Sequence, residues 1–241
     1  MRAQTRHQLK QDRFSRATID AAEATVHWSV EHQNKLIAGA VVLAVVVAAV
    51  AGTWYYLNTQ DEKASLEVSQ AVRILDTPVR PANMPPQPDY PSFASVKERA
   101  AAAQKKFQAV VDKYPHTHAA EVSKYFVGVT ASDLGDTAAA ESDLKSVVSS
   151  GSSDLSALAK MALAAVYRNT NRSAQAIDLY KQIIDKPTRT VGKTTAEMEL
   201  ASTYQATNQP LEAKRIYEQI QKENPSRESA RLAQAKLQEL K

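Results

Sequence analysis

Between residues 36 and 57 the chain carries no charged side chain, and this stretch limits everything that can surround it. It reads LIAGAVVLAVVVAAVAGTWYYL. At a helical rise of about 1.5 Å per residue such a segment reaches about 33 Å. The hydrocarbon core of a bilayer is about 30 Å thick. The 241-residue chain is therefore expected to divide into a leader at 1–35, a transmembrane helix at 36–57 and a water-exposed domain at 58–241. A secretory signal is the competing reading, because Ala49-Val50-Ala51 before Gly52 is an acceptable cleavage pattern. The leader is longer than the charged start of a usual signal. Trp54, Tyr55 and Tyr56 are amphipathic rings suited to the headgroup level. A retained anchor is the favoured reading, and cleavage near Ala51 is the alternative.

Orientation follows from the cations. The leader holds six (Arg2, Arg6, Lys10, Arg13, Arg16 and Lys35), while the twenty residues after the span hold two, Lys63 and Arg73. Cationic flanks stay in the cytoplasm, which places the N-terminus inside and the large domain outside. In a bacterium, outside means the periplasm or the cell exterior. The chain has no cysteine, which suits an oxidising compartment and excludes a lipid-modified N-terminal Cys. Past residue 57 the charges nearly balance, with 24 Lys or Arg against 22 Asp or Glu. The basic character is thus not that of a nucleic-acid binder. Six glycines are few and alanine is abundant, which favours packed helices over sheets.

Near the C-terminus the chain reads LASTYQATNQPLEAKRIYEQIQKENP. Leu200, Ala201 and Tyr204 give one helix face, Asn208-Gln209-Pro210 breaks it, and Ala213, Ile216, Tyr217 and Ile220 give a second. Leu163, Ala164 and Tyr167, a break at 169–172, then Ala176, Tyr180 and Ile183 repeat the pattern. Val127, Gly128 and Ala131, a break at Gly135, then Ala140, Leu144 and Val147 repeat it again. Ala140, Ala176 and Ala213 fall at intervals of 36 and 37 residues, and Ala103 lies 37 earlier. A fixed period near this length marks stacked helical hairpins, none able to bury its apolar face alone.

These residues resemble the tetratricopeptide repeat, most clearly in Ala201, Tyr204, Ala213, Tyr217 and Pro225. The resemblance implies an all-α fold: one transmembrane helix followed by a tetratricopeptide-like α-solenoid of about four hairpins. In the first copy only Ala103, Phe107, Val110 and Pro115 match, and a helix near 61–75 is expected to supply the missing half. Residues 76–91 then intervene as DTPVRPANMPPQPDYP, a proline-rich insertion holding six of the ten prolines. Such a run cannot continue a helix and is expected to be extended and mostly unpaired. Ser95-Val96-Lys97-Glu98 and Thr194-Thr195-Ala196-Glu197 each have capping-box form. Residues 226–241, with Ala230, Ala233, Leu237 and Leu240, are expected to form a C-terminal cap helix.

Little in the chain argues for chemistry. Val191-Gly192-Lys193-Thr194-Thr195 resembles the end of a phosphate loop, but Pro187 stands where the earlier glycine belongs and no strand precedes it. His116 and His118, or His27 and His32, lack the carboxylate or cysteine partners of a metal site. The tyrosines at 125, 167, 180, 204 and 217 read as repeat core. No paired carboxylates or activated nucleophile can be argued, so the chain reads as a non-enzyme without cofactors, metals or a small-molecule substrate. In the leader, Phe14, Ala17, Ala21, Ala24 and Trp28 align on one side of a helix, which suits the inner leaflet or a partner. A solvated leader is the equal alternative.

The whole arrangement is similar to the YfgM-type ancillary subunits of the bacterial Sec translocon. That resemblance implies a single-pass inner-membrane protein with a periplasmic repeat domain. It further implies a place beside the SecYEG channel, with periplasmic chaperones or prolyl isomerases as companions for newly translocated chains. The proline-rich insertion and the long repeat spacing depart from the usual pattern. A cell-envelope scaffold for a division or outer-membrane assembly complex, without client chaperoning, is the other functional reading. By resemblance, the first helix of each hairpin lines a concave binding face. That selects Tyr125, Val129, Met161, Ala165, Arg168, Met198, Ser202 and Gln205 as a protein-binding groove.

Overall fold

The computed structural model describes residues 32–86, 91–223 and 228–240, so the amphipathic pattern at 14–28 lies outside the described residues. The chain forms two compact units, Met1–Tyr56 and Leu57–Lys241. Nine α-helices occur among the described residues. Helix α1 (Gln33–Asp76) runs for 44 residues and contains one stretch long and apolar enough to cross a membrane. The valines of that stretch stand open, Val45 at 63% and Val50 at 65% exposure. Apolar area left in water costs about 25 cal/mol per Å². In a bilayer the same surface is at home, and a helix satisfies every backbone group within its own segment.

The second unit holds the end of α1 and eight further helices. They are α2 (Val96–Lys113), α3 (His118–Leu134), α4 (Thr137–Ser150), α5 (Ser153–Asn169), α6 (Ser173–Asp185), α7 (Lys193–Ala206), α8 (Pro210–Glu223) and α9 (Glu228–Glu239). From α2 onward each helix packs on the next in sequence. The expected all-helical solenoid is what the chain forms. Ala140, Ala176 and Ala213 are all fully buried, so a small residue recurs in the core of each hairpin with the sequence period. Gly128 serves the same purpose on α3: a Cβ there would lie 2.8 Å from Cγ of Leu144 on α4.

The turns repeat with the same period. Gly135, Asn171 and Asn208 adopt left-handed conformations, with φ of 88°, 58° and 57°. Glycine and asparagine tolerate that region better than other residues. After each, a backbone N–H reaches back over the helix end: Asp136 to the Ala131 carbonyl (2.9 Å), Arg172 to Tyr167 (2.8 Å) and Gln209 to Tyr204 (2.8 Å). These are Schellman-type closures that satisfy carbonyls the helix would leave open. Pro210 then occupies the first position of α8, where its missing N–H removes nothing.

The first hairpin is built differently. Ala64, Val68 and Ala71 of α1 share a buried cluster with Ala103, Phe107 and Val110 of α2. Phe107 stacks on Phe126 of α3 with ring centroids 4.7 Å apart. The proline-rich insertion is less unpaired than its sequence suggests. Val79 and Phe93 form an isolated parallel bridge, with Arg80 N donating to the Phe93 carbonyl (2.9 Å) and Phe93 N to that of Pro78 (3.0 Å). The prolines leave enough free N–H groups at the two ends of the segment to close it. Residues 87–90 lie outside the described residues.

The two capping boxes part company. Ser95 caps α2, its Oγ accepting from Glu98 N (3.1 Å), while Glu98 Oε2 accepts from Ala94 N (2.7 Å). The box at 194–197 does not form. Helix α7 already begins at Lys193, its N-cap is Gly192, and no side chain caps it. Glu197 is instead turned inward and buried, one carboxylate oxygen unpartnered. Ala230 and Ala233 are buried on α9, the expected cap helix.

Candidate protein-binding groove

Helices α3, α5 and α7 are the first helices of successive hairpins, and α3 touches α5 directly as well as through the intervening α4. Most of their residues are buried or half-buried, because each is covered by its neighbours on more than one side. Tyr125 and Val129 on α3 and Met161 on α5 are half-buried and pack against the central cluster around Leu144, Leu163 and Tyr167. Burial pushes the Tyr125 hydroxyl above its ordinary value, so it stays neutral at any physiological pH. Ala165 is exposed, and Ser202 and Gln205 on α7 are half-buried. Met198 packs against the last cluster, formed by Ala201, Ala213 and Tyr217. The two methionines thus fill gaps between helices with part of their length and present the rest.

Arg168 near the end of α5 bridges to the Glu199 carboxylate on α7, which joins two of the three helices. Glu199 escaped sequence reasoning. Its signal was its place three residues before Ser202, on the same face of α7. Glu141 on α4 accepts from Lys145 (2.6 Å), Arg172 (2.6 Å) and the Tyr167 hydroxyl (3.2 Å). These bonds hold its carboxyl down to about 2, with Lys145 the largest contributor. The Arg172 guanidinium also lies over the Tyr167 ring at 4.5 Å. Both groups therefore serve the joint between hairpins.

The rejected motifs find structural uses. Lys193 pairs with Glu197 (3.3 Å) and Glu223 (3.1 Å) at the start of α7, so its ammonium is already neutralised where a phosphate loop would need it. His118 opens α3 and faces Glu121 at 3.8 Å. Among the described residues no three His, Asp, Glu or Cys side chains gather as metal ligands would.

The sequence pattern of the tetratricopeptide repeat-like domain matches residues 26–241. The chain belongs to that family. A tetratricopeptide repeat protein of Parabacteroides merdae, known from its crystal structure, has a similar fold at a TM-score of 0.52 and 15% identity. The match covers 74% of this chain and 60% of that one, and at this identity it speaks for the fold alone. No curated protein matches the chain. Tetratricopeptide-like folds are interaction scaffolds, and a domain of this family implies protein partners.

A tetratricopeptide-like domain also has an outer side, made by its second helices. Here α2 and α4 flank a cavity of about 550 Å³ lined by Ala101, Gln104, Gln108 and Asp112 of α2, Val127 of α3 and Asp143 of α4. Sequence reasoning passed over it. The trace was present as small and amide residues three or four apart along α2, the spacing of one helix face.

Proposed function

We propose that this protein is a membrane-tethered, non-enzymatic interaction module that acts beside the Sec translocon. In this reading it assists the periplasmic chaperoning of newly translocated proteins, together with a chaperone or prolyl isomerase. The groove is the row Tyr125, Val129, Met161, Ala165, Arg168, Met198, Ser202 and Gln205. The anchor at 36–57 is retained in the inner membrane, with the leader at 1–35 in the cytoplasm and the domain at 58–241 in the periplasm. One observation carries the proposal: a stretch suited to crossing a membrane and a tetratricopeptide-like domain occur in the same chain. A tether of that kind raises the local concentration of the groove for any partner at the membrane. The charge bias of the leader supports the orientation.

The test is photo-crosslinking in native membranes from a probe at Trp54, which is 68% exposed. The expected adducts are with channel subunits, and their number falls when the span is replaced by an unrelated one. Adducts only with division or outer-membrane assembly proteins would overturn the placement. Protease added to spheroplasts should digest the repeat domain and leave a membrane-bound N-terminal fragment. A mature protein starting at Gly52 would contradict the retained anchor.

A further inference from the structure

We infer that the cleft between α2 and α4 is a second binding site, one that takes an extended polypeptide segment and seats a single lysine or arginine of it against Asp143. The site stands apart from the groove row: α3 supplies its floor through Lys124 and Val127, not through Tyr125 or Val129.

Two hollows adjoin there. The larger, about 550 Å³, runs along Ala101, Gln104, Lys105, Gln108 and Asp112 of α2. The smaller, about 160 Å³, adds Lys124 of α3 and Ser146 of α4. Both share Gln108, Val127 and Asp143, so they form one elongated cleft with Asp143 where the two meet. From Ala101 to Asp112 the helix rises about 17 Å, the reach of about five residues of extended chain. Gln104 and Gln108 lie about 6 Å apart along the axis, close to the spacing of about 6.6 Å between alternate residues of a strand. A glutamine amide both donates and accepts, so successive backbone groups on one side of a strand meet successive glutamines.

Asp143 sets the charge of the occupant. Gly128 brings α4 so close that a Cβ on it would lie 3.3 Å from Cβ of Asp143, which starts that short side chain at the floor of the cleft. Burial raises the Asp143 carboxyl, and the neighbouring charge that acts on it is Asp136, a second acid, which raises it further. The ion pairs of this region leave it out: Lys145 bridges to Glu141 and Lys113 to Glu67. Asp112 is engaged, accepting from Gln108 Nε2 (2.8 Å). A ligand ammonium or guanidinium at Asp143 therefore meets a partly desolvated carboxylate, where a charge-assisted hydrogen bond is strong. Lys105 in the larger hollow and Lys124 in the smaller repel further cations, which selects one basic residue over a basic run. A nucleic acid or an anionic headgroup would bring phosphates to both aspartates and is disfavoured on the same ground.

The experiment uses the full chain in nanodiscs of zwitterionic lipid. The probes are fluorescent Ser/Thr peptides of equal length, blocked at both ends, with Lys, Gln or Glu at the centre. Fluorescence anisotropy should rank the lysine peptide about tenfold tighter than the glutamine one, with the glutamate one weakest. The advantage of lysine should shrink between about 50 and 500 mM salt. Asp143→Asn should bring the lysine peptide down to the glutamine one and leave the Kd of the latter unchanged. Ala109 lines the cleft from the exposed side of α2, and Ala109→Trp should block all three peptides. Equal binding of the lysine and glutamine peptides to the unaltered chain would overturn the inference, and so would a lysine preference that survives Asp143→Asn. Binding that persists in Ala109→Trp, or no binding at all, would overturn it too. Asp143→Asn decides the matter even where the tryptophan unsettles α2, because asparagine keeps the shape of the side chain and removes its charge.

Discussion

Between α5 and α6 the chain reverses in three residues around Asn171, whereas between α1 and α2 it takes nineteen, through the proline-rich insertion. The short turn sets the angle of its hairpin by backbone alone, through the left-handed residue and the bond from Arg172 to Tyr167. The long connection sets no angle. By loop-closure entropy the difference in length costs about 1.6 kcal/mol. Side chains supply what the turn does not. Glu67 of α1 accepts from Lys113 Nζ (2.7 Å) and the Tyr114 hydroxyl (2.9 Å). Asp61 accepts from Ala119 N at the start of α3 (2.8 Å), and Arg99 donates to the Thr77 carbonyl (3.1 Å). One packing arrangement can thus be specified by turn chemistry or by bridges between helices, and only the first is local in sequence.

The largest expected effect asks whether the first hairpin is as well packed as the others. Phe107 and Leu144 are each fully buried. Phe107→Ala should cost about 3–5 kcal/mol and Leu144→Ala about 2–5. Calorimetry should show comparable losses, and a Phe107→Ala variant that melts like the unaltered chain would remove the first hairpin from the comparison.

Overpacking comes next. Ala213 is fully buried in a cluster with Ala201 of α7 and Tyr217 of α8. Ala213→Trp should cost about 1–3 kcal/mol. An unchanged melting temperature would mean that the last hairpin is loose.

The turns give a smaller, sharper contrast. Asn171→Ala places an ordinary side chain in the left-handed region and should cost about 1 kcal/mol, with Asn171→Gly nearly neutral. Removing residues 82–86 from the insertion should leave the melt unchanged within error, because those residues are exposed and hold no angle. Sensitivity of the insertion and tolerance of the turn would invert the account.

The smallest effects are in pH. Glu141 is depressed to about 2, so the stability it contributes is present above its ordinary value of 4.5 and is lost as pH falls toward 2. Glu67 is also lowered, chiefly by Lys113, and has the same sign in the first hairpin. Glu197 has the opposite sign: burial raises its carboxyl, so the folded state takes up a proton first and gains stability as pH falls through that raised value. Glu141→Gln should flatten the acid limb of a melting-temperature profile, and Glu197→Gln should raise the melt at neutral pH. A profile in which both variants move together would show that burial of Glu197 is not a cost.

Much of this molecule is legible in its sequence because its rules are local. The period of 36 and 37 residues, the alanines that mark the hairpin cores and the breaks at Gly135, Asn171 and Asn208 can all be read along the chain. The capping box at Ser95 is equally local, and it forms. The one at Thr194 fails because α7 already begins at Lys193, and Glu197 is buried and paired one turn back with Lys193 on the same helix. The surroundings of the proposed groove residues are legible only within one helix. Helical spacing selects which side of α5 holds Met161 and Ala165. The partner of Arg168 sits 31 residues away on another helix, and only the fold brings Glu199 to it. For the same reason the bridges from Asp61 and Glu67, 58 and 46 residues from their partners, leave no trace in sequence spacing.

The end of α1 serves as the first half of the first hairpin. Hydrogen exchange of the full chain in nanodiscs, read amide by amide, tests this directly. The amides at 61–75 should be protected to the same degree as those of α2, and Glu67→Gln should lower both together. Rapid exchange across 61–75 while α2 stays protected would contradict it.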